Sequence, residues 1–265
     1  MINLYKSTET KRIYDLVEFE GFKVNRIEQH KFETKTDFVF SLSTNAAKEN
    51  LLKKISQLAP IKKQFKVVYG IKTGDNDRFL SKEIKGNDNW KKCASSAKNI
   101  KKYLIDWQGD YLNVCNDLAG LNNINYEQPK ILIQYIRKLS MPIRLVCSLD
   151  LNGEYYPLNN FSFVISENGN SLKVLLGILN SRLMNWYFSN CFVDYNIKPK
   201  YIEQLPLPTR IISSDIESKV SEIISLKVKD KETDITDLET QMDQLVYQLY
   251  DLKEEEIKII ERGNE

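Results

Sequence analysis

The side chains that could carry chemistry are few. His30 is the single histidine, so any Ser-His-Asp or Cys-His arrangement would have to be built on it. It stands between charged residues in a stretch that reads as a strand, where a surface imidazole is the simpler reading. Two sets of residues have the loose order of a Mg²⁺ nuclease, an acid followed at a distance by Glu-x-Lys: Asp75 with Glu83 and Lys85, and Asp15 with Glu33 and Lys35. A pattern that arises twice in a chain with 28% charged residues is weak. Cys93, Cys115, Cys147 and Cys191 are far apart and form no CxxC pair. That spacing gives no structural zinc site and reads as four reduced, mostly buried thiols. GxSxG, P-loop and GxGxxG patterns are absent, as is any Pro-Pro pair. Without Pro-Pro there is no Asn/Asp-Pro-Pro-aromatic motif, which holds a flipped base while its exocyclic amine is methylated. The sequence therefore predicts no catalytic residue and no metal ligand on this chain.

Binding chemistry remains. The formal net charge of +2 hides a polarity along the chain. From Lys62 to Lys102 roughly twelve Lys or Arg face four acids, whereas from Ile211 onward about seven basic residues face fifteen acids. This predicts that the basic segment meets a polyanion and the acidic one is turned elsewhere. Within the basic segment, GIKTGDNDRFL has Gly70 and Gly74 at either end of a turn. Its Lys72, Thr73, Asn76 and Arg78 are donors suited to phosphates or base edges. NWKKCASSAKNIKKYL then places Lys91, Lys92, Lys98, Lys101 and Lys102 beside Trp90 and Tyr103. Lysines supply salt-sensitive phosphate affinity, while Asn, Thr and Arg discriminate bases. The competing reading, lysines that merely solvate a surface, is equally consistent with composition.

The elements that must position these residues follow from periodicity. IYDLVEF, FKVNRIEQHKF and DFVFSLS read as strands. Thr44 and Asn45 can cap a helix over AAKENLLKKISQLA, which Pro60 ends. Six of the seven prolines and eight of the ten glycines lie between Gln64 and Thr209, which predicts short strands joined by loops. FKVVYGI, KILIQYI, IRLVCSLD and FSFVIS are the candidate strands, with a hairpin-type turn at Asn152-Gly153. SLKVLLGILNSRLMNWYFSN reads as one helix with a wide apolar face. Beyond Pro208 the apolar series Ile216 to Leu226 and Leu238 to Leu249 read as two helices, the second capped by Thr236 with Glu239. LPLP ends one element and aims the chain at this tail. The Glu254–Glu256 run reads equally as solvated or as the start of a further helix. The architecture expected is α+β, in three parts: residues 1–60, strand-rich with a helix; a core over 61–208; and a helical tail over 209–265. No run of apolar residues is long enough to span a membrane, and no signal peptide is visible, so a cytoplasmic location is expected.

Five blocks in this order, YGIKTGDNDRFL, KILIQYIRK with SLDLNGEYYPLNNFSFVI, LLGILNSRLMNWYF, YIEQLPLP and MDQLVYQLYDLKEEEIKII, resemble the C-terminal specificity domain of TaqI-like adenine-N6 DNA methyltransferases and Type IIG restriction enzymes. The resemblance runs from about Val67 to the C-terminus. It implies an irregular mixed β-sheet target-recognition domain with flanking helices, followed by long C-terminal helices. It also implies that double-stranded DNA is a partner and that Gly70 to Leu80 lies in the DNA-reading part; residues 1–60, outside the resemblance, are expected to be part of the recognition domain. A methyltransferase domain or subunit using S-adenosylmethionine, with or without a nuclease, is the implied catalytic partner. This chain itself takes no cofactor in that reading. The alternative is a protein-interaction module that docks or dimerises through its C-terminal helices.

Overall fold

The computed structural model describes residues 2–6, 23–27, 46–86, 89–118 and 120–263. Strand β1 (Ile2–Lys6) pairs antiparallel with β2 (Lys23–Ile27), the latter inside the expected FKVNRIEQHKF strand. IYDLVEF, DFVFSLS, His30, the Thr44-Asn45 cap and the Asp15, Glu33, Lys35 set lie outside the described residues. Helix α1 (Ala46–Ser56) buries Leu51 and Ile55. The chain then runs through β3 (Ala59–Pro60), β4 (Lys66–Tyr69), α2 (Asn76–Phe79), β5 (Leu80–Ser81), β6 (Trp90–Ala94), β7 (Ile100–Lys101), β8 (Leu104–Ile105) and β9 (Tyr111–Asn113). After these come β10 (Lys130–Gln134), β11 (Cys147–Asp150), β12 (Tyr156–Pro157) and β13 (Phe161–Ile165). Helices α3 (Leu172–Asn180), α4 (Arg182–Cys191) and α5 (Pro199–Ile202), strand β14 (Pro206–Leu207), and helices α6 (Ser214–Lys229), α7 (Thr236–Leu249) and α8 (Glu254–Glu261) complete the fold. The class is α+β with several small, irregular sheets, as the composition of the centre predicts.

The organising element is an antiparallel sheet in the order β11-β10-β13-β4. KILIQ and FSFVI are buried along their whole length, so the two central strands have no solvated face. Alternation still decides which side each residue serves. Ile131, Ile133, Val164 and Cys147 join Leu175, Leu179, Met184, Phe188, Val220 and Val246 in one hydrophobic cluster, against the helices. Leu132, Phe161, Phe163 and Ile165 join Ile71, Phe79, Leu112 and Leu158 in a second cluster on the other side. That second cluster is roofed by the smaller sheet β12-β6-β9-β5, in which only the β12–β6 pairing is parallel.

The structure departs from several expectations. The 171–190 stretch is two helices, because Ser181 leaves helical geometry and its hydroxyl accepts the Met184 amide to start α4. The break has a use. Asn180 exchanges two 3.0 Å hydrogen bonds with the backbone of Cys147, and Asn185 Oδ1 accepts the amides of Arg144 and Leu145 at 2.9 and 2.8 Å. Two asparagines thus satisfy the outer edge at the start of β11 and in the segment leading into it. Second, the turn at Asn152-Gly153 forms no hairpin: β12 leaves β11 and pairs with β6 in the other sheet. Third, of the two readings of the Glu254–Glu256 run, the further helix is the one formed, so three helices follow Pro208. The Glu254–Glu256 run opens α8, with Glu256 pairing to Lys54 of α1, and Asp234 rather than a Thr236–Glu239 box receives the Thr236 amide at the start of α7. LPLP does not simply end an element either, since Pro206–Leu207 pairs antiparallel with Ala59–Pro60.

One ionic interaction lies wholly inside. Lys130 and Asp150 are register partners on β10 and β11, and their Nζ and Oδ2 atoms are 2.6 Å apart with both side chains almost entirely buried. Lys130 also donates to the Tyr126 carbonyl at 2.7 Å. Asp150 accepts the amides of Glu154 and Tyr155, which holds the 151–155 turn. Burial pushes the Lys130 ammonium below its usual range, and Asp150 restores this only in part. Removing one partner strands a buried charge. Asp150→Ala is therefore expected to cost about 3–5 kcal/mol in urea unfolding, with the Lys130→Met/Asp150→Leu double substitution recovering most of it. An unchanged urea midpoint for Asp150→Ala would contradict this role.

Candidate nucleic-acid interface

The register places several loops together. Gln134 is opposite Phe161, Ser162 opposite Tyr69, and Ile133 opposite Cys147. The loops leaving β4 and β10, and those entering β11 and β13, therefore emerge at one end of the sheet. These are 70–79, 135–146 and 157–160. A fourth segment joins them: Ile136 bridges to Asn196, and the Ile197 amide donates to the Tyr135 carbonyl at 2.6 Å. A fifth is the turn around Lys98, where Gln134 Nε2 donates to the carbonyls of Ala97 and Ile100 at 2.9 and 3.0 Å.

Loop 70–79 is rigid for local reasons. A Cβ at Gly70 would fall 2.0 Å from the Leu158 carbonyl oxygen, so glycine is needed there for close packing rather than for a turn. The turn itself is at Gly74, with φ of +78°. Asp75 then caps α2 by accepting the Arg78 amide at 3.1 Å, and Phe79 anchors the helix in the core. Lys72, Thr73, Gly74, Asn76, Asp77 and Asn159 line an open depression of about 280 Å³. Thr73 is nearly buried and donates to Asn76 Oδ1 at 2.5 Å, which fixes the Asn76 amide with its oxygen engaged. Tyr69 links this loop to its neighbour: its hydroxyl donates to the Asn159 carbonyl at 3.0 Å and its ring lies 4.9 Å from that of Tyr135. Burial, then the adjacent Tyr135, raises the Tyr69 pKa, so its hydroxyl stays a donor. A lysine and two carboxamides, with the Asp77 carboxylate beside them, surround a shallow opening and make a set suited to phosphate contact and base-edge hydrogen bonding.

The nine basic and polar residues singled out from sequence are not brought to one place. Lys72, Thr73, Asn76 and the exposed Lys98 lie at this sheet end. Arg78 leaves the same loop but pairs with Asp117. Lys91 and Lys92 lie toward the opposite end, bound to Glu127 at 2.9 Å and Glu154 at 2.7 Å beside the Lys130–Asp150 pair. Lys92 is also 5.4 Å from the Trp107 ring and 5.8 Å from that of Tyr155. Hydrogen bonds from Lys91 and Lys92 hold the Glu127 and Glu154 carboxyls below their ordinary range. Lys101 and Lys102 face the C-terminal helices, pairing with Glu232 and Glu239, while Lys231 reaches back to Asp106 at 2.8 Å. The acidic tail is therefore not turned away from the whole basic segment, because it receives two of its lysines. Residues that sequence reasoning passed over at the sheet end are Tyr69, Tyr135, Arg137, Lys138 and Asn159. The cluster of cations in IRKLSMPIR was the available signal.

No group of three or more His, Cys, Asp or Glu fit to hold a metal occurs among the described residues. The buried Cys93 thiol is pushed up to about 12 by burial, and Cys147 is raised further by the same cause, so neither is poised as a nucleophile. Among the described residues no helix is long and apolar enough to cross a membrane.

Residues 96–207 match the TaqI-like C-terminal specificity domain. The match is narrower than the resemblance read from Val67 onward, leaving out YGIKTGDNDRFL and the C-terminal block. Among solved structures the fold is similar to that of the Type IIL restriction-modification enzyme MmeI in complex with DNA, with a TM-score of 0.58 and 10% identity. That similarity covers 86% of this chain and 37% of MmeI, so the chain spans little more than a third of that protein. No curated protein matches the chain.

Exposed ion pairs of the Lys101 kind contribute little and weaken with salt. Lys101→Ala with Lys102→Ala is expected to lower stability by no more than about 1 kcal/mol per pair, the loss shrinking in high salt. Thermal unfolding at low and high salt checks this, and a loss that grew with salt would contradict it.

Proposed function

We propose that this chain reads the base sequence of duplex DNA for a restriction-modification system, through the loops gathered at the 70–79 end of its main sheet. One observation carries the reading. Within the register of a sheet whose central strands are doubly buried, Lys72, Thr73, Asn76, Asn159 and Lys98 come to a single exposed edge, and residues 96–207 match a specificity domain. The finer reading is that the methylated base is adenine and that the system is of the Type IIG kind. In this reading S-adenosylmethionine is bound by a methyltransferase domain or subunit, with or without a nuclease. The present residues contribute recognition rather than chemistry, in keeping with their lack of a Pro-Pro pair and of a glycine loop for the cofactor. A cytoplasmic location belongs to the same proposal.

The protein-interaction alternative loses its main support. Ile216, Val220, Ile223, Met242, Val246 and Ile260, the apolar stripes of α6, α7 and α8, are packed in this chain's own core. Those faces are already occupied.

Lys72 and Lys98 serve as phosphate contacts and Asn76 and Asn159 as base readers, with the buried Thr73 holding Asn76 in place. Binding to mixed-sequence duplexes should fall steeply with salt. Lys72→Ala and Lys98→Ala should each reduce the slope of log affinity against log salt by about one, for all sequences alike. Asn76→Ala should relax preference at one or two positions, costing about 1–3 kcal/mol on the preferred site. Lys101→Ala and Lys102→Ala should leave the salt slope unchanged. Gel-shift titrations over a salt series decide this; a chain that binds no duplex at low salt contradicts the proposal.

A further inference from the structure

The same sheet end carries a feature that base reading by loop 70–79 does not use. Ile136, Leu139, Met141, Ile143, Val193 and Tyr195 are between 36% and 64% exposed, on two segments that touch. The Arg137 amide donates to the Tyr195 carbonyl at 3.0 Å, and Ile136 bridges to Asn196. Isolated exposed apolar side chains need no explanation, but six on adjoining loops mark a surface that is covered in use. The loop is also held in shape. The Arg137 guanidinium donates to the Ile143 carbonyl through Nε at 3.1 Å and through Nη2 at 2.5 Å, closing 137–143, and the Met141 amide returns to the Lys138 carbonyl at 3.0 Å. A protrusion clamped by its own arginine is preorganised for insertion.

Charge indicates the occupant. The cations at the surface of these loops and beside them are Arg137, Lys138, Lys198 and Lys200, whereas Arg144 is buried against Phe188. The nearby carboxylate, Asp194, is taken up by Lys198 at 2.6 Å and by the Tyr201 hydroxyl at 3.1 Å. An apolar tip in a positive collar, continuous with the depression at Lys72 through the Tyr69–Tyr135 contact, fits a polyanion with an apolar interior.

We infer that the 136–143 loop, flanked by Val193 and Tyr195, enters a groove of the DNA duplex. There Leu139 and Met141 wedge against a base step while Lys138 flanks the backbone and Arg137 holds the loop in shape. This rests on the DNA reading above and adds a second, apolar mode of contact to it. The site distorts the duplex rather than only reading it.

The test uses the full chain and short duplexes of random sequence, enriched by rounds of binding to the unaltered chain. Leu139→Ser/Met141→Ser should weaken binding about tenfold with an unchanged salt slope, since apolar contacts release no counterions. Lys138→Ala should do the reverse, making the slope shallower by about one. With 2-aminopurine placed at successive steps of a selected duplex, the unaltered chain should brighten one step, and the double variant should not. All three substituted side chains are exposed, and unaltered thermal unfolding verifies the fold. If the unaltered chain binds and brightens no step, or the double variant binds equally well at every salt, the wedge is overturned and the patch is a docking face for another polypeptide. If the unaltered chain selects no duplex at all, the DNA reading fails first and the wedge with it.

Discussion

Strands β10 and β13 are buried on both faces, and this constraint sets much of the rest. Strands without a solvated face must be covered twice. Helices α1 and α3 to α8 cover one side, and the β12-β6-β9-β5 sheet with α2 covers the other. With both faces occupied, solvent meets the sheet at its ends and edges. The β11 edge is closed by Asn180, Asn185 and the 103–104 hairpin segment, whose Tyr103 amide donates to Cys147. One end is closed by the Lys130–Asp150 pair and the turns it organises. The other end is left as the exposed edge from which five segments project, so the location of the candidate interface follows from how the core is buried.

Much of the fold was legible because burial writes a clear pattern. KILIQYI and FSFVIS are continuous apolar runs bounded by turn residues, and both are central strands. What was not legible depended on pairing at a distance. Asn152-Gly153 has the chemistry of a hairpin turn, yet β12 is drawn to β6 because Leu158 and Tyr156 complete the second core. The 171–190 run has one continuous apolar face, and nothing local announces that Asn180 and Asn185 are needed as surrogates for a missing strand. The candidate site was legible in part for the same reason. Loop 70–79 carries its own signal of glycines and donors, whereas Asn159 and Tyr135 reach it only through the sheet register. Arg137 and Lys138 sat in a quoted block, but their exposure at the same end is a property of topology.

Electrostatics sort the basic segment more sharply than a count of lysines. Five of the nine residues singled out are bound to carboxylates: Arg78, Lys91, Lys92, Lys101 and Lys102. Exposed pairs of this kind contribute little and are easily exchanged, but their partners sit on different parts of the surface. Lys91 and Lys92 stabilise the turns near the Lys130–Asp150 pair, and Lys101 and Lys102 clasp the tail. The polarity along the chain therefore serves two ends. Part of the positive charge binds the acidic helices to the domain, and the part at the sheet end, with Lys72, Lys98 and Lys138, is what a phosphate backbone would meet.

The central claim is that one end of the main sheet is the face toward DNA. Amide hydrogen exchange of the whole chain, with and without a selected duplex, tests it most directly. The account predicts new protection in 70–79, 97–99, 136–144 and 157–160, with no change at 151–155 or along α7. Protection confined to α6 through α8, or to the turns around Glu127 and Glu154, would contradict it.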